Sequence, residues 1–302
     1  MTAFKARVLT SDRHVLAEGP VWASATNTLL WVDVERGEVF EGVIEGTAVR
    51  QTRVERFDGK VGAVVPGEGG RLLVAGHERL VVVETDGSRT LGPVIVDDVT
   101  DSRTNDGAVD PHGRLLIGTI AHDELGGHDR LFRIEDDGSR TTLDRDLSIS
   151  NGIAFSPDGR TLYNADTLRG TIWGRKYDPT TGEVGERREQ LRIDGYPDGI
   201  CVDAHGDIWI AVWASGEVRC YSPAGELRHV VSVPAPHVSS VAFVGPALDR
   251  LLITTASRDL DDAGLAEHPD AGRLFIVDVG VVGTPTYSWS GSWGPTAIRP
   301  TP

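Results

Sequence analysis

The sequence predicts an all-β protein, a six-bladed β-propeller whose blades are four-stranded antiparallel sheets. Six segments repeat one layout, in which an apolar run leads into a turn and a second strand-like run leaves it. The turn positions are 43 to 47 residues apart, and they are Asn27, Gly70, Gly113, Gly159, Gly206 and Asp249. A period in the low to middle forties, with no amphipathic helix between the copies, is typical of propeller blades. Six copies therefore predict six blades.

The copy at residues 148–166, SISNGIAFSPDGRTLYNAD, shows this layout most clearly. Residues 153–155 are an apolar run, and the tight-turn signal Ser-Pro-Asp-Gly follows at 156–159. Residues 161–165 leave the turn as a second run, rich in β-branched and aromatic residues. We therefore expect an antiparallel hairpin here and at the equivalent place in each copy.

The two ends of the repeat array have to meet, because an open blade would leave an exposed sheet edge. The run at 5–10 precedes the first copy, and we expect it to pair as an edge strand of the sixth blade. The other strands of that blade are predicted at 240–244, 251–255 and 273–278. Two polar, acidic insertions, at 121–129 and 259–271, are predicted to be loops at the rim.

Length and composition predict one soluble domain. We expect a single propeller domain over residues 1–302, because six copies of this period use almost the whole chain. No apolar run approaches the roughly 20 residues of a membrane span. The N-terminus has no apolar segment after a basic start, which argues against a secretory signal and favours the cytoplasm.

Charge and cysteine content narrow the classes of partner. A formal charge of −15 argues against nucleic acid and anionic membranes, which bind mainly to Lys and Arg, and favours small neutral ligands or cations. We expect a monomer or a weak oligomer. The two cysteines, Cys201 and Cys220, lack the spacing of a metal or redox motif and are predicted to be free, buried thiols.

Oxygen-bearing side chains recur at one fixed distance before the turn. Eight residues before the six turn positions stand Gly19, Gly62, Asn105, Asn151, Asp198 and Val241, with Glu18 one residue away from this register. The innermost strand of each blade lines the central channel, so equivalent positions form a ring around one of its mouths. We therefore expect Glu18, Asn105, Asn151 and Asp198 to converge there.

Such a ring predicts a bound cation. Two carboxylates and two amides in a partly desolvated place leave negative charge uncompensated unless a cation binds. The set contains no thiolate or imidazole, so Ca²⁺, Mg²⁺ and Mn²⁺ are favoured, while Fe²⁺ and Zn²⁺ are tolerated. Asn-Gly and Asp-Gly are also ordinary turn dipeptides, so a purely structural role for Asn151 and Asp198 remains the alternative.

Four long motifs occur in order along the chain, and they are LAEGPVW at 16–22, RTNDGAVDPHGRLLIGT at 103–119, SNGIAFSPDGRTLYNADT at 150–167 and YPDGICVDAHGDIWIAVW at 196–213. On these motifs the sequence resembles the gluconolactonase family that includes senescence marker protein 30 (regucalcin). The resemblance covers nearly the whole chain. It implies a six-bladed propeller, and membership of a fold family alone does not establish activity.

The resemblance also implies roles for individual residues. One divalent cation would be held by Glu18 of EGPVW, Asn151 of SNG and Asp198 of PDG, all three of which belong to the ring predicted from spacing. Arg103 and Asn105 of the R-x-N-D motif would bind substrate beside the cation. Asp106 is a further candidate for substrate binding, and a solvated charge at the rim is the alternative role for Arg103.

One position departs from the family pattern. Several members carry a glutamate soon after the GRxxxGT strand, where it contacts sugar hydroxyls, and the counted position here is His122, followed by Asp123 and Glu124. A carboxylate accepts hydrogen bonds from two hydroxyls, whereas a neutral imidazole offers one donor and one acceptor. We therefore expect His122 to contact substrate and the preferred lactone to differ from gluconolactone, with a plain surface histidine as the alternative.

The leading functional hypothesis is metal-dependent hydrolysis of a sugar-acid lactone, such as glucono-, xylono- or arabinonolactone. The cation would polarise the ester carbonyl, and Asp198, a ligand with a spare oxygen, would take the proton of the attacking water. Two alternatives stay open. One is a metal-dependent hydrolase of another ester or an organophosphate on the same fold, and the other is a non-catalytic propeller that binds calcium or a ligand. The sequence has no G-x-S-x-G motif, which argues against a covalent serine mechanism.

Overall fold

The structure, a computed structural model, describes residues 1–96 and 101–291. Two strands precede the repeats, β1 (Thr2–Lys5) and β2 (Arg7–Val8). The remaining strands form six sheets, which we call blades one to six in chain order.

The first three blades are regular meanders. Blade one contains β3 (Ala17–Ala23), β4 (Thr28–Asp33), β5 (Glu38–Glu45) and β6 (Ala48–Arg56). Blade two contains β7 (Val61–Pro66), β8 (Leu72–Gly76), β9 (Arg79–Val83) and β10 (Arg89–Val94). Blade three contains β11 (Ser102–Val109), β12 (Leu115–Ala121), β13 (Asp129–Ile134) and β14 (Arg140–Leu147).

Blades four to six continue the same plan. Blade four contains β15 (Ser150–Phe155), β16 (Thr161–Asp166), β17 (Thr171–Lys176) and β18 (Arg188–Arg192). Blade five contains β19 (Tyr196–Val202), β20 (Ile208–Trp213), β21 (Glu217–Tyr221) and β22 (Leu227–Ser232). Blade six contains β23 (His237–Val244), β24 (Arg250–Ala256) and β25 (Phe275–Val277), and β2 completes it.

The six innermost strands pack against one another in chain order, and β23 packs against β3 to close the ring. The prediction of a six-bladed β-propeller with four-stranded antiparallel blades is confirmed. The expected single domain over residues 1–302 stays a prediction, because it extends beyond the described residues. No helix in the described ranges is long and apolar enough to cross a membrane.

Ring closure differs in part from the prediction. The run at 5–10 was expected to be one edge strand of blade six, but only Arg7–Val8 pairs there, with β25. Lys5 ends β1, which adds a fifth, parallel strand to blade five by pairing with β22. The chain crosses between the blades at Ala6, whose buried backbone N–H donates to the carbonyl of Ser232. Each of the two blades thus gains an edge strand from the N-terminal segment.

The insertion predicted as a rim loop at 259–271 contains a short helix, α1 (Asp262–Glu267). Its N-cap is Asp261, whose carboxylate accepts a hydrogen bond from the N–H of Gly264 at 2.8 Å. The insertion at 121–129 has no helix, and its last residue begins β13. A single 3₁₀ turn (Glu68–Gly70) follows β7.

Each innermost strand carries an irregularity at the level of the predicted ring. The pairing with the second strand slips between Glu18 and Val21 in β3, between Thr104 and Gly107 in β11, and between Pro197 and Ile200 in β19. Strands β7, β15 and β23 have the same one-residue slip at this level, but there it leaves one residue unpaired instead of two. A β-bulge redirects side chains out of the regular alternation. The six bulges therefore lie at one level around the channel, which is the level of the predicted ring residues.

Candidate active site

Four of the predicted ring residues stand at these bulges. Glu18 is the last paired residue before the bulge of β3, and Asn151 holds the same place in β15. Asn105 and Asp198 are the first unpaired residues in β11 and β19. Glu18 and Asn151 thus hold equivalent places in their strands, although only Asn151 lies eight residues before its turn position.

Two buried aspartates at the ends of second strands bind the backbone just before or at the start of β3 and β15. Asp33, at the end of β4, accepts hydrogen bonds from the N–H groups of Val15 at 2.9 Å and Leu16 at 3.3 Å. Asp166, at the end of β16, accepts from the N–H of Ser148 at 2.9 Å. These charge-assisted bonds fix the backbone two or three residues before Glu18 and Asn151.

The ring opens into a cavity of about 250 Å³ at one mouth of the channel. Its polar lining includes five of the residues predicted for the site, which are Glu18, Arg103, Asn105, Asn151 and Asp198. The structure thus brings together the three predicted metal ligands and two predicted substrate-binding residues, which come from four different blades. Their functional roles stay predictions.

A chain of hydrogen bonds orients the amides on the cavity floor. Arg103 Nη1 donates to Asn105 Oδ1 at 3.1 Å, and Asn105 Nδ2 donates to Asn151 Oδ1 at 3.3 Å. Asn151 Nδ2 donates to Thr167 Oγ1 at 3.2 Å, and Thr167 Oγ1 donates to the carbonyl of Pro197 at 2.9 Å. Because its Nδ2 is engaged with Thr167, Asn151 keeps its oxygen on the side of Asn105, which lines the cavity.

The ionised forms of the two acids of the ring, Glu18 and Asp198, are destabilised by their surroundings. Burial raises the pKa of Glu18 well above its usual range, and the charges of Asp198 and Asp106 raise it further. Burial likewise raises the pKa of Asp198, with a further contribution from Asp106. Asp198 is 5% exposed, and its Oδ1 is a buried oxygen without a hydrogen-bond partner. An orphaned carboxylate oxygen beside a second acid and an amide oxygen fits a hard divalent cation.

Arg103 is buried in the same cavity, with only 4% of its surface exposed. Its Nη1 donates to the carbonyl of Thr104 at 2.9 Å as well as to Asn105. No ion pair within 4 Å is found for Arg103 in the described part of the chain. A buried guanidinium without a carboxylate partner is costly to keep in a fold, which points to a ligand-binding role.

Asp106 faces the other side of the ring. It lines a second cavity of about 120 Å³, whose other walls come from the later parts of the innermost strands and from residues 284–287. Its Oδ1 accepts from the N–H of Gly107 at 2.8 Å, and burial raises its pKa to about 6. The predicted substrate contact of Asp106 stays a prediction. The negative charge of Asp106 contributes to the raised pKa values of Glu18 and Asp198.

His122 lies outside the lining of the 250 Å³ cavity. It is exposed, and its ring stacks on His77 with the centroids 5.1 Å apart. Glu124, two residues later, does line the cavity and binds Arg258 through both carboxylate oxygens, at 2.7 and 2.8 Å. The substrate contact predicted for His122 stays a prediction, and Glu124 is the acid of this loop that reaches the site.

The outer lining of the cavity was not predicted from the sequence. It includes Arg258 and Asp259 after β24, Tyr196 and Trp213 at the paired ends of β19 and β20, and Leu168 after β16. Tyr196 and Trp213 are the two ends of the quoted motif YPDGICVDAHGDIWIAVW, so their position in the hairpin was an available signal. Nothing in the local sequence indicates that Arg258 meets Glu124, because 134 residues separate them.

A second group of metal-binding residue types, Asp203, Asp207 and Cys220, lies within blade five. Asp203 Oδ1 accepts from the N–H groups of His205 and Asp207, and its Oδ2 accepts from Trp209 Nε1 at 3.0 Å. Burial also raises the pKa of the Cys220 thiol, which favours its neutral form. These bonds make Asp203 a structural residue of the turn, as Asp110 is in blade three. Cys201 and Cys220 are free thiols, as predicted, and Cys220 is buried as expected, whereas Cys201 is only partly buried.

Asp129, at the end of the 121–129 loop, gives a testable pH dependence. It is 1% exposed, its Oδ2 has no partner, and burial raises its pKa from the usual 3.8 to about 7. Between these two values the unfolded chain is ionised and the folded protein holds the proton, so this group stabilises the fold at low pH and loses that effect as the pH rises through 7.

We expect Asp129→Asn to remove this dependence. The wild type should lose up to about 4 kcal/mol of unfolding free energy relative to the variant between pH 4 and pH 8. Denaturant unfolding of both proteins at five pH values measures the difference. Parallel curves for the two proteins would contradict it.

Comparison with known proteins places this geometry in a family. The sequence profile of the SMP-30/gluconolactonase/LRE-like region matches residues 16–257. The chain is 37% identical to the pentonolactonase XacC of Haloferax volcanii, over 90% of this chain and 94% of that protein. It is 30% identical to regucalcin of Danio rerio, over 96% of this chain and all of that protein.

A solved structure agrees with the sequence comparison. The calcium-binding protein regucalcin of Agrobacterium tumefaciens superposes with a TM-score of 0.90 at 31% identity, over 96% of this chain and 99% of that one. The profile match covers most of the described propeller, including the bulges that carry Glu18, Asn151 and Asp198. The chain is therefore a member of the SMP-30/gluconolactonase/LRE-like family.

Proposed function

We propose that this protein is a lactonase that opens a sugar-acid lactone with the help of one divalent cation. The observation that carries the proposal is the orphaned Asp198 Oδ1 at the convergence of Glu18, Asn151 and Asp198. The similarity to a pentonolactonase supports the substrate class. A sugar lactone is a small, neutral, oxygen-rich molecule, which suits a cavity of about 250 Å³.

Glu18, Asn151 and Asp198 would hold the cation through oxygen atoms alone. When bound, the cation supplies Lewis acidity that polarises the lactone carbonyl. It also offsets the negative charge of two acids whose pKa is raised by burial. Metal analysis of the purified protein would identify the cation among Ca²⁺, Zn²⁺, Mn²⁺, Mg²⁺ and Fe²⁺.

The remaining residues position the substrate and move a proton. Arg103 would donate hydrogen bonds to the lactone, and its buried guanidinium would stabilise negative charge as it develops on the carbonyl oxygen. Asn105 would accept a hydrogen bond through its oxygen, because its Nδ2 already donates to Ser150 and Asn151. Asp198 accepts a proton from the attacking water, whose oxygen bonds to the carbonyl carbon. The bond from that carbon to the ring oxygen then breaks, and the ring oxygen takes up a proton to become a hydroxyl.

Two other functions remain distinguishable by experiment. A hydrolase of another ester or an organophosphate would share the metal site but would prefer those substrates over lactones. A calcium-binding propeller without activity would bind the cation and turn nothing over. The relative from Agrobacterium tumefaciens is described as a calcium-binding protein. The first assay should therefore measure calcium binding and lactone turnover on the same preparation.

Metal analysis combined with a substrate panel tests the proposal. The purified protein, its chelated form and the form reloaded with each cation are assayed on aldonolactones, an aryl ester and a phosphotriester. We expect activity on aldonolactones, its loss after chelation, and its return on reloading. Full activity after chelation would refute the metal-dependent mechanism.

Variants locate the cation. We expect Glu18→Gln and Asn151→Ala each to weaken metal binding by at least about 10-fold in calorimetry, because the first removes the negative charge of a ligand and the second removes a ligand oxygen. Glu45→Gln is a matched control, since Glu45 ends β5, is exposed and pairs with Arg50 at 2.8 Å. Wild-type metal affinity in both site variants would place the cation elsewhere.

A further inference from the structure

The wall of the proposed lactone site is divided into a charged side and an apolar side. Two of the seven large apolar side chains that are exposed in the described ranges, Leu168 at 44% and Tyr196 at 49%, line this one cavity. Trp213 lies beside them, and the buried Ile120 and Ile149 extend the apolar lining inward. Exposed apolar side chains that gather in a binding cavity indicate the chemistry of its ligand.

The apolar side is built from blades four and five and is held in place. Tyr196 and Trp213 are paired residues of β19 and β20. The indole of Trp213 stacks on the ring of His237, with the centroids 4.5 Å apart and the planes 3° from parallel. The backbone of Leu168 is fixed as well, because its N–H donates to Ser148 Oγ at 3.0 Å. We call Leu168, Tyr196 and Trp213 the apolar wall.

The charged side comes from other blades. Arg258, after the second strand of blade six, binds Glu124 of blade three and lies 3.5 Å from Glu35 of blade one. Arg103 and Asn105 belong to blade three. A lactone that presents its carbonyl and hydroxyls to these groups therefore turns its remaining edge toward the apolar wall.

The apolar wall limits which chemical groups the lactone can carry on the edge that faces it. A hydroxyl placed against the Leu168 side chain or the carbon faces of the Tyr196 and Trp213 rings loses water without gaining a hydrogen bond, which is unfavourable. A methyl or methylene group in the same place contributes favourable binding free energy, because apolar surface is removed from water. We propose that the substrate is a lactone whose end distal to the carbonyl lacks a hydroxyl, of the 6-deoxyhexonolactone type. This inference rests on the proposed lactonase activity and specifies its substrate class.

Pairs of lactones that differ in one hydroxyl test the inference. Each 6-deoxyhexono-1,4-lactone, in the galacto and manno configurations, is compared with the hexono-1,4-lactone of the same configuration. We expect kcat/KM of the metal-loaded enzyme to be about 10-fold higher for the deoxy member, the scale on which an apolar pocket distinguishes such groups. In Leu168→Asn and Tyr196→Ser we expect the preference to fall below about 3-fold, mainly through lower kcat/KM for the deoxy lactone.

The chain offers a matched control for Leu168. Leu91 is 41% exposed on the outer strand β10 of blade two, away from the cavity, and Leu91→Asn makes the same chemical change. We expect this control to keep the wild-type preference. Because all three substituted side chains are exposed, the variants should remain folded, which circular dichroism and thermal unfolding verify.

The outcomes separate this inference from the proposed function. If the enzyme opens aldonolactones but shows no preference for the deoxy members, or if the preference survives in both wall variants, the inference is wrong and the lactonase proposal stands. If no lactone is opened by the metal-loaded protein, both fall. A preference that the wall variants lose and the control retains supports the inference.

Discussion

We expect Asp198→Asn to lower kcat on the best aldonolactone by about 10²- to 10⁴-fold at saturating metal, the usual range for loss of a general base. The substitution keeps the shape of the side chain and one oxygen ligand. It removes the negative charge and the basicity. Asp198 is almost fully buried, and its Oδ1 has no partner within the protein, so that oxygen is free for the cation or for water.

The measurement requires two steps, because the same residue is a proposed metal ligand. Metal titration first establishes the concentration that saturates the variant, and steady-state kinetics are then measured at that concentration. Asp259→Asn is the matched control, since Asp259 lines the same cavity at its rim and loses the same charge. A metal-saturated Asp198→Asn enzyme with near wild-type kcat would remove Asp198 from the role of base.

The spacing of the repeats was sufficient to predict the blade number and most of the ring. Asn105, Asn151 and Asp198 share one register with the turn positions, and the structure places all three around one cavity. The register predicted Gly19 rather than Glu18 for blade one, because spacing alone does not reveal where a bulge begins. Val241 was placed at the ring for blade six, whereas the slip in β23 lies between Val238 and Ser240.

Other features depend on contacts between distant parts of the chain, which a single sequence does not show. The parallel pairing of β1 with β22 joins residues more than 200 positions apart. The Glu124 to Arg258 ion pair connects the insertion at 121–129 with the residue just before the insertion at 259–271, and both insertions were predicted only as polar rim loops. Leu168 follows a strand as an ordinary turn residue, and only the folded ring shows that it faces the ligand cavity. The fold class can therefore be predicted from local sequence patterns here, whereas the outer lining of the site depends on contacts between distant parts of the chain.

Arg103 gives the second large effect, because activity and stability should respond to its removal in opposite directions. We expect Arg103→Met to lower kcat/KM by about 10²- to 10³-fold, the typical effect of removing a donor to developing negative charge. The guanidinium is 4% exposed, and the ion pairs found in the described part of the chain do not include it. Replacing a buried ion pair with apolar side chains of similar volume is often neutral or stabilising by about 1–4 kcal/mol, and a buried charge without an ion-pair partner has less favourable interaction to lose.

Denaturant unfolding of the metal-free proteins, together with kinetics of the metal-loaded ones, measures both effects. Arg103→Lys is the control that separates charge from geometry, since lysine keeps the positive charge but not the planar fork that can donate to two oxygens. We expect it to recover part of the lost kcat/KM without the gain in stability. If Arg103→Met instead loses more than about 1 kcal/mol of unfolding free energy with kcat/KM unchanged, Arg103 is a structural residue. Its bonds to Thr104 and Asn105, rather than contacts with a substrate, would then explain its burial.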